Sequence, residues 1–365
     1  LIGSEKLLAT TGSTAQPRFL VPQLMRIAKE RAGDLASAET IGLINSLFTS
    51  VLAQTIAPID YGDGMGTNGV DITTHPNYVW WQKGFEELGI QYVLPLLPPL
   101  VKPSSVVGKI GRYFVGRYKF ADTCQVLVGT GDNCDSVTAA GVLEKGDASA
   151  DLGSSFTCMK LTYKPQPDAS GCVFGAGSGG CITLFMPPYA SGLLQDWVCK
   201  TFFEGDYVAF DNFMELEVAS DPCDLDYILT PTADGKGFDY HELVDGSDEE
   251  HDAFDCVQAI LADLVRRMGN SQMDRITVNG SAATPEACQI LADMTGAEVT
   301  ISEVEDGPAL GAAIRAAQLS GGKTWRGYVR ALSPMGDTFN PREAWVAYYR
   351  DVYMPAFVAR AQPIA

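Results

Sequence analysis

The stretch V-L-V-G-T-G-D-N-C-D-S-V-T-A-A-G-V-L-E-K-G-D-A-S-A-D-L-G-S-S-F-T, from Val126 to Thr157, sets the reading of the rest of the chain. Val126, Leu127 and Val128 form an apolar strand that runs into Gly129-Thr130-Gly131-Asp132-Asn133. A second strand, 147–152, runs into Gly153-Ser154-Ser155. Glycine at a strand end lets the backbone turn sharply and approach a ligand that a Cβ would hold off. Peptide N–H groups exposed at such turns suit anionic oxygens. A carboxylate at a strand's carboxyl end, as Asp132 is, is placed like a general base. The same letters also suit a plain turn, because Asp and Asn bond to nearby backbone. Neighbouring sequence has to decide between the two.

Working outward, 365 residues suggest two domains, each able to bury a core. An apolar content of 46% and a charged content of 19% are those of a globular chain. No apolar run is long enough for a bilayer, and no signal-peptide pattern opens the sequence, so a cytoplasmic protein is expected. A formal charge of −19 argues against nucleic acid or an anionic membrane as partner, though not against a nucleotide held by a few local donors. Nine scattered cysteines without a C-x-x-C spacing read as reduced thiols rather than a zinc site or disulfide frame.

Helical spacing marks 22–32, 41–53 and 255–268, the last with Val257, Ile260, Leu261 and Leu264 on its core face. Pro95 to Pro103 reads as a linker, and 204–250 as an acidic, irregular face. Gly175 to Gly180 resembles a nucleotide loop but lacks the Lys-Ser/Thr of a P-loop, so a hairpin turn is expected. The acids of 245–255 read as a helix start rather than a calcium loop. A strand at 275–278 ends in Asn279-Gly280-Ser281, with a helix starting near Pro285. A further strand follows at 297–302, then a small-residue helix at 309–314 able to pack closely, and an aromatic-rich helix at 342–359. This alternation predicts an α/β architecture whose ligands gather at strand carboxyl ends.

Taken in order, these residues resemble the FGGY family of carbohydrate kinases, and within it the eukaryotic-type D-xylulose kinases. The likeness runs from Thr11-Gly12-Ser13 with Arg18-Phe19, through 58–64 and 105–108, to Thr130-Gly131-Asp132-Asn133. It continues at 144–147, Leu152-Gly153-Ser154-Ser155, Asn279-Gly280-Ser281 and 309–313. The resemblance implies an actin-like ATPase (ribonuclease H-like) fold, two α/β domains around a cleft, with the first domain incomplete. Expected boundaries are 1–122 for the sugar-side remainder, 123–330 for the nucleotide-side domain and 331–365 for a helical tail. The implied activity is ATP-dependent phosphorylation of D-xylulose to D-xylulose 5-phosphate with ATP and Mg2+; ribulose, glycerol or gluconate as acceptor, or binding without transfer, are the alternatives. Carried over by position, Asp132 matches the general base, and Arg18 and Asn133 match sugar-contacting groups. Gly153, Ser154 and Ser155 match the loop near the ATP phosphates, while Gly280, Ser281 and Thr284 match the turn that holds adenosine. The resemblance leaves room for a homodimer.

Departures from the family pattern also carry expectations. The likeness starts partway through the family's first domain, so the chain by itself is expected to lack a complete active site. Asp151 stands where the family has serine and would repel phosphate if it pointed that way. Asp135 adds an acid beside Asp132, and a like charge within about 4–6 Å would raise the pKa of one of the two.

Overall fold

The computed structural model describes residues 2–222, 227–243, 253–269 and 273–361. The chain divides into two compact units, each assembled from separated segments: Leu1–Lys145, Leu161–Leu184 and Glu305–Leu332 in unit one, and Gly146–Lys160, Phe185–Val304 and Ser333–Ala365 in unit two. Among the described residues no helix is long and apolar enough to cross a membrane.

Unit two is built on parallel strands. Asp147–Leu152 pairs parallel with Arg275–Asn279, which pairs parallel with Glu298–Ser302. Met335–Phe339 runs antiparallel on one side and Phe156–Thr162 on the other, the latter closing a hairpin through Leu152 opposite Phe156. Ala148, Ser149 and Ala150 are all buried, as expected of a strand covered on both faces. Because the three central strands run the same way, the turns after Leu152 and Asn279 leave from one edge of the sheet.

The helix Ala253–Met268 is buried well beyond the expected face: Cys256, Gln258, Ala259, Ala262 and Asp263 are covered along with the aliphatic residues. Its polar members are satisfied there. Gln258 Oε1 accepts from the Tyr349 hydroxyl at 2.8 Å, and Asp263 accepts from Tyr189 at 2.9 Å and from Arg266 and Arg267. The expected helix start at 245–255 falls largely on 244–252, outside the described residues. In the tail, Trp345, Tyr349, Tyr353 and Phe357 recur every fourth residue and are all buried. That spacing places them on one helical stripe.

Unit one packs Leu20–Glu30 around Val21 and Leu24, with Phe85, Ile90, Val93 and Leu97 against them. Two expectations fail here and in unit two. Pro95–Pro103 is not a linker: Ile59 N–H donates to Pro99 O, Trp80 Nε1 donates to Pro98 O, and Leu100–Val101 pairs parallel with Ile59–Asp60. Proline-rich backbone still offers carbonyls, and two neighbouring strands use them. The described residues of the acidic stretch 204–250 are not irregular either. They contain the helix Tyr207–Ala219, capped by Asp206 accepting from Val208 and Ala209 N–H, and the hairpin Tyr227–Pro231 with Phe238–Glu242. The segment Gly175–Gly180 is a tight turn, as expected, with Ala176 N–H donating to Gly180 O at 3.2 Å.

Candidate active site

The strand Gln125–Leu127 delivers the chain to Gly129, whose N–H donates to Thr49 Oγ1 at 3.1 Å. A Cβ on Gly129 would sit 2.9 Å from that hydroxyl, so glycine is required by close approach. Thr130 Oγ1 then donates to Asp60 Oδ2 at 2.7 Å, and Gly131 caps the helix Asp132–Ala139. Asp132 is its first residue and is exposed, with Oδ1 accepting from Asn133 N–H at 2.7 Å. Asn133 adjoins it on the same turn. Arg18 also lies in unit one, its guanidinium 5.7 Å from the Phe19 ring; among the described residues it neither hydrogen-bonds nor pairs with Asp132 or Asn133.

Two further carboxylates stand beside this turn. Asp60 is fully buried and caps the helix Tyr61–Met65 by accepting from Gly62 and Asp63 N–H, besides the Thr130 hydroxyl. Burial pushes its pKa from 3.8 up to about 7, against the pull of those donors. Asp63 is half-buried and accepts from the Asn45 side chain; burial raises its pKa, and the charge of Asp132 adds to the rise.

The raised value gives Asp60 a definite sign. The native state keeps a proton that the unfolded chain releases, so the stabilisation is complete below about pH 4 and is lost as the pH rises to about 7. Relative to Asp60→Asn, the native protein should therefore lose at least a few degrees of thermal midpoint between pH 4 and pH 7.5. Parallel midpoint-against-pH curves for the two proteins would show that Asp60 is not the titrating group.

The expected clash between Asp135 and Asp132 does not occur. Asp135 is buried and turned onto Arg315, which donates from Nε to Oδ1 at 3.1 Å and from the second terminal nitrogen to Oδ2 at 3.2 Å. Burial raises the Asp135 pKa, and the guanidinium counteracts it. Arg315 also donates to Val128 O at 2.7 Å and Pro103 O at 2.8 Å, so one side chain ties the helix Gly307–Ser320 to the strand end that launches the Asp132 turn. Gly311 makes this approach feasible: a Cβ there would lie 1.9 Å from Asp135 O. The glycine and alanine run at 309–313 signalled the close packing; nothing local signalled the partner of Arg315.

In unit two the structure brings the remaining candidates together. Gly280, with φ +107°, lies against the first turn so closely that a Cβ would stand 2.5 Å from the Leu152 carbonyl carbon. Ala282 N–H donates to Leu152 O at 2.8 Å, and Gly192 N–H donates to Ser154 O at 3.1 Å. Ser154, Ser155 and Ser281 are exposed on this rim, and Thr284 Oγ1 caps the helix Pro285–Thr295 through Ala287 N–H. Asp151 is half-buried beside the first of these turns: its carboxylate accepts from Gly153 N–H, and burial raises its pKa despite that bond. Two serine-bearing turns with a bare glycine contact between them thus form one rim of unit two. Gly280→Ala combines left-handed strain with a backbone clash, and should lower unfolding stability by about 1–3 kcal/mol. A denaturation midpoint equal to that of the native chain would contradict this.

Comparison with known proteins adds an independent line. Residues 253–319 match the FGGY family of carbohydrate kinases, C-terminal domain. Xylulose kinase of Rattus norvegicus is 36% identical over 173 residues, which are 47% of this chain and 31% of the rat protein. Xylulose kinase 2 of Arabidopsis thaliana is 26% identical over 340 residues, covering 86% of this chain and 60% of the plant protein. The chain thus spans less than two thirds of the length of these relatives. The crystal structure of xylulose kinase from Rhodospirillum rubrum superposes with a TM-score of 0.84 at 18% identity, over 98% of this chain and 75% of that one. The fold is accordingly the mixed α/β fold of these kinases. In its matched C-terminal segment, in these relatives and in its fold, the chain is similar to the FGGY family of carbohydrate kinases.

Proposed function

We propose that the native polypeptide phosphorylates a ketopentose at the expense of ATP, converting D-xylulose to D-xylulose 5-phosphate, with Asp132 as general base. The observation that carries this reading is the contrast among four carboxylates of unit one. Asp60 and Asp135 are buried and bonded, Asp63 is half-buried on Asn45, and Asp132 alone of these is exposed. An accessible carboxylate at a glycine turn can take the hydroxyl proton as the sugar oxygen bonds to the γ-phosphorus and ADP leaves with the bridging oxygen. Asn133 and Arg18 would orient the polyol. The rim of Gly153, Ser154, Ser155, Gly280, Ser281 and Thr284 would hold the nucleotide. Magnesium fits as an ion carried on the phosphates, since the described residues gather no group of three His, Cys, Asp or Glu side chains able to hold a metal.

The test is ADP release by the native polypeptide with ATP, magnesium and D-xylulose, against no sugar and against ribulose, glycerol and gluconate. Release that depends on xylulose supports the proposal. Faster turnover of another acceptor would reassign the substrate, and silence with all of them would leave binding without transfer. That last reading loses one of its motives here, because Arg315 pairs with Asp135.

A further inference from the structure

We propose that unit one carries a second small-molecule site, which takes a compact anion with a planar aromatic body. A cavity of about 500 Å3 lies wholly within this unit. That volume falls within the range of about 300–1,000 Å3 found for small-molecule pockets. None of the sugar- or nucleotide-site candidates lines it.

The walls are aromatic. Tyr61 and Tyr78 meet edge to face at 4.9 Å, His75 meets Tyr78 in the same manner at 5.7 Å, and Trp325 lines the cavity as well. Such rings present faces and edges to which a flat ligand can stack at a small cost in side-chain freedom. The charge around the cavity is the second observation. In a chain of formal charge −19, no aspartate or glutamate is among the residues that line it, whereas Lys102 is. Among the described residues Lys102 forms no ion pair, so its ammonium is available to an anion. A third observation points inward. Ser178 lines the same cavity, and its hydroxyl oxygen is buried without a hydrogen-bond partner. A buried hydroxyl left unbonded is unfavourable, and a ligand oxygen that reached it would relieve this. Aromatic walls, one uncommitted cation and one orphaned hydroxyl together define a ligand with a ring at one end and a phosphate or carboxylate at the other.

Phenyl phosphate is the probe, titrated into the native protein by calorimetry, with inorganic phosphate and benzyl alcohol as its two halves. Phenyl phosphate should bind, and each half should bind at least about tenfold more weakly. Lys102→Ala should weaken phenyl phosphate by about tenfold or more and leave benzyl alcohol unchanged. Ser178→Trp should fill the cavity and remove binding, and saturating ADP should leave it intact. Absence of binding, equal binding of either half, indifference to Lys102→Ala, or displacement by ADP would each overturn the proposal. Lys102 is an exposed residue, so its variant decides the matter even where Ser178→Trp does not fold.

Discussion

Asp132→Asn should cut sugar-dependent ADP release by the native polypeptide by about 10²–10⁴-fold, the usual contribution of a positioned general base. The substitution preserves shape, and its amide oxygen can still accept from Asn133 N–H as the carboxylate does. Because Asp132 is exposed at a helix start, the thermal midpoint should barely move. The loss should therefore fall on kcat, with the KM for sugar nearly unchanged, since a base acts on the proton in flight rather than on ground-state binding. Turnover within a few-fold of the parent would refute the role. A loss confined to KM would instead make Asp132 a sugar-contacting group.

Arg315→Met should destabilise the protein by about 3–5 kcal/mol, the cost of leaving a buried carboxylate without its partner. Asp135 would stand among buried groups with its charge uncompensated, and Val128 O and Pro103 O would each lose a donor. Adding Asp135→Asn to Arg315→Met should recover part of that loss, because the second change removes the orphaned charge. Denaturant unfolding of the two single variants and the double variant closes the cycle. Simple additivity would mean that the pair is not coupled, contrary to the 3.1 Å and 3.2 Å contacts. Because Arg315 also grips the strand end before Gly129, the same variant should lower turnover at temperatures where it is still folded.

Much of the candidate site was legible because it is written locally. A strand ending in Gly-Ser-Ser at 153–155 and another ending in Asn-Gly-Ser at 279–281 became adjacent rims once the strands paired in parallel, with Asn279 opposite Asp151. Asp132 was legible for the same reason, with glycines before it that the fold turns out to need. What escaped notice depends on partners far away in sequence. Asp135 read as a like charge near Asp132 because its cation lies 180 residues further on. Asp60 entered only as part of the 58–64 stretch of the likeness, because the hydroxyl it accepts from, on Thr130, lies 70 residues away. Pro95–Pro103 read as a linker because composition registers the missing N–H groups of proline and not the carbonyls that neighbours use. The helix Tyr207–Ala219 was hidden by the acids around it, although Asp206 supplies a cap of the expected type.

The tie between Asp135 and Arg315 also sets a timetable for synthesis. Unit one takes its last segment from Glu305–Leu332, after nearly all of the central stretch of unit two has been made. At about 5–20 residues per second, the arginine leaves the ribosome roughly 10–40 seconds after the aspartate it neutralises. During that interval Asp135 lacks its guanidinium, and the close packing of its helix must wait for the late arrival. The unit that this chain begins first is thus closed only after most of the other has been made.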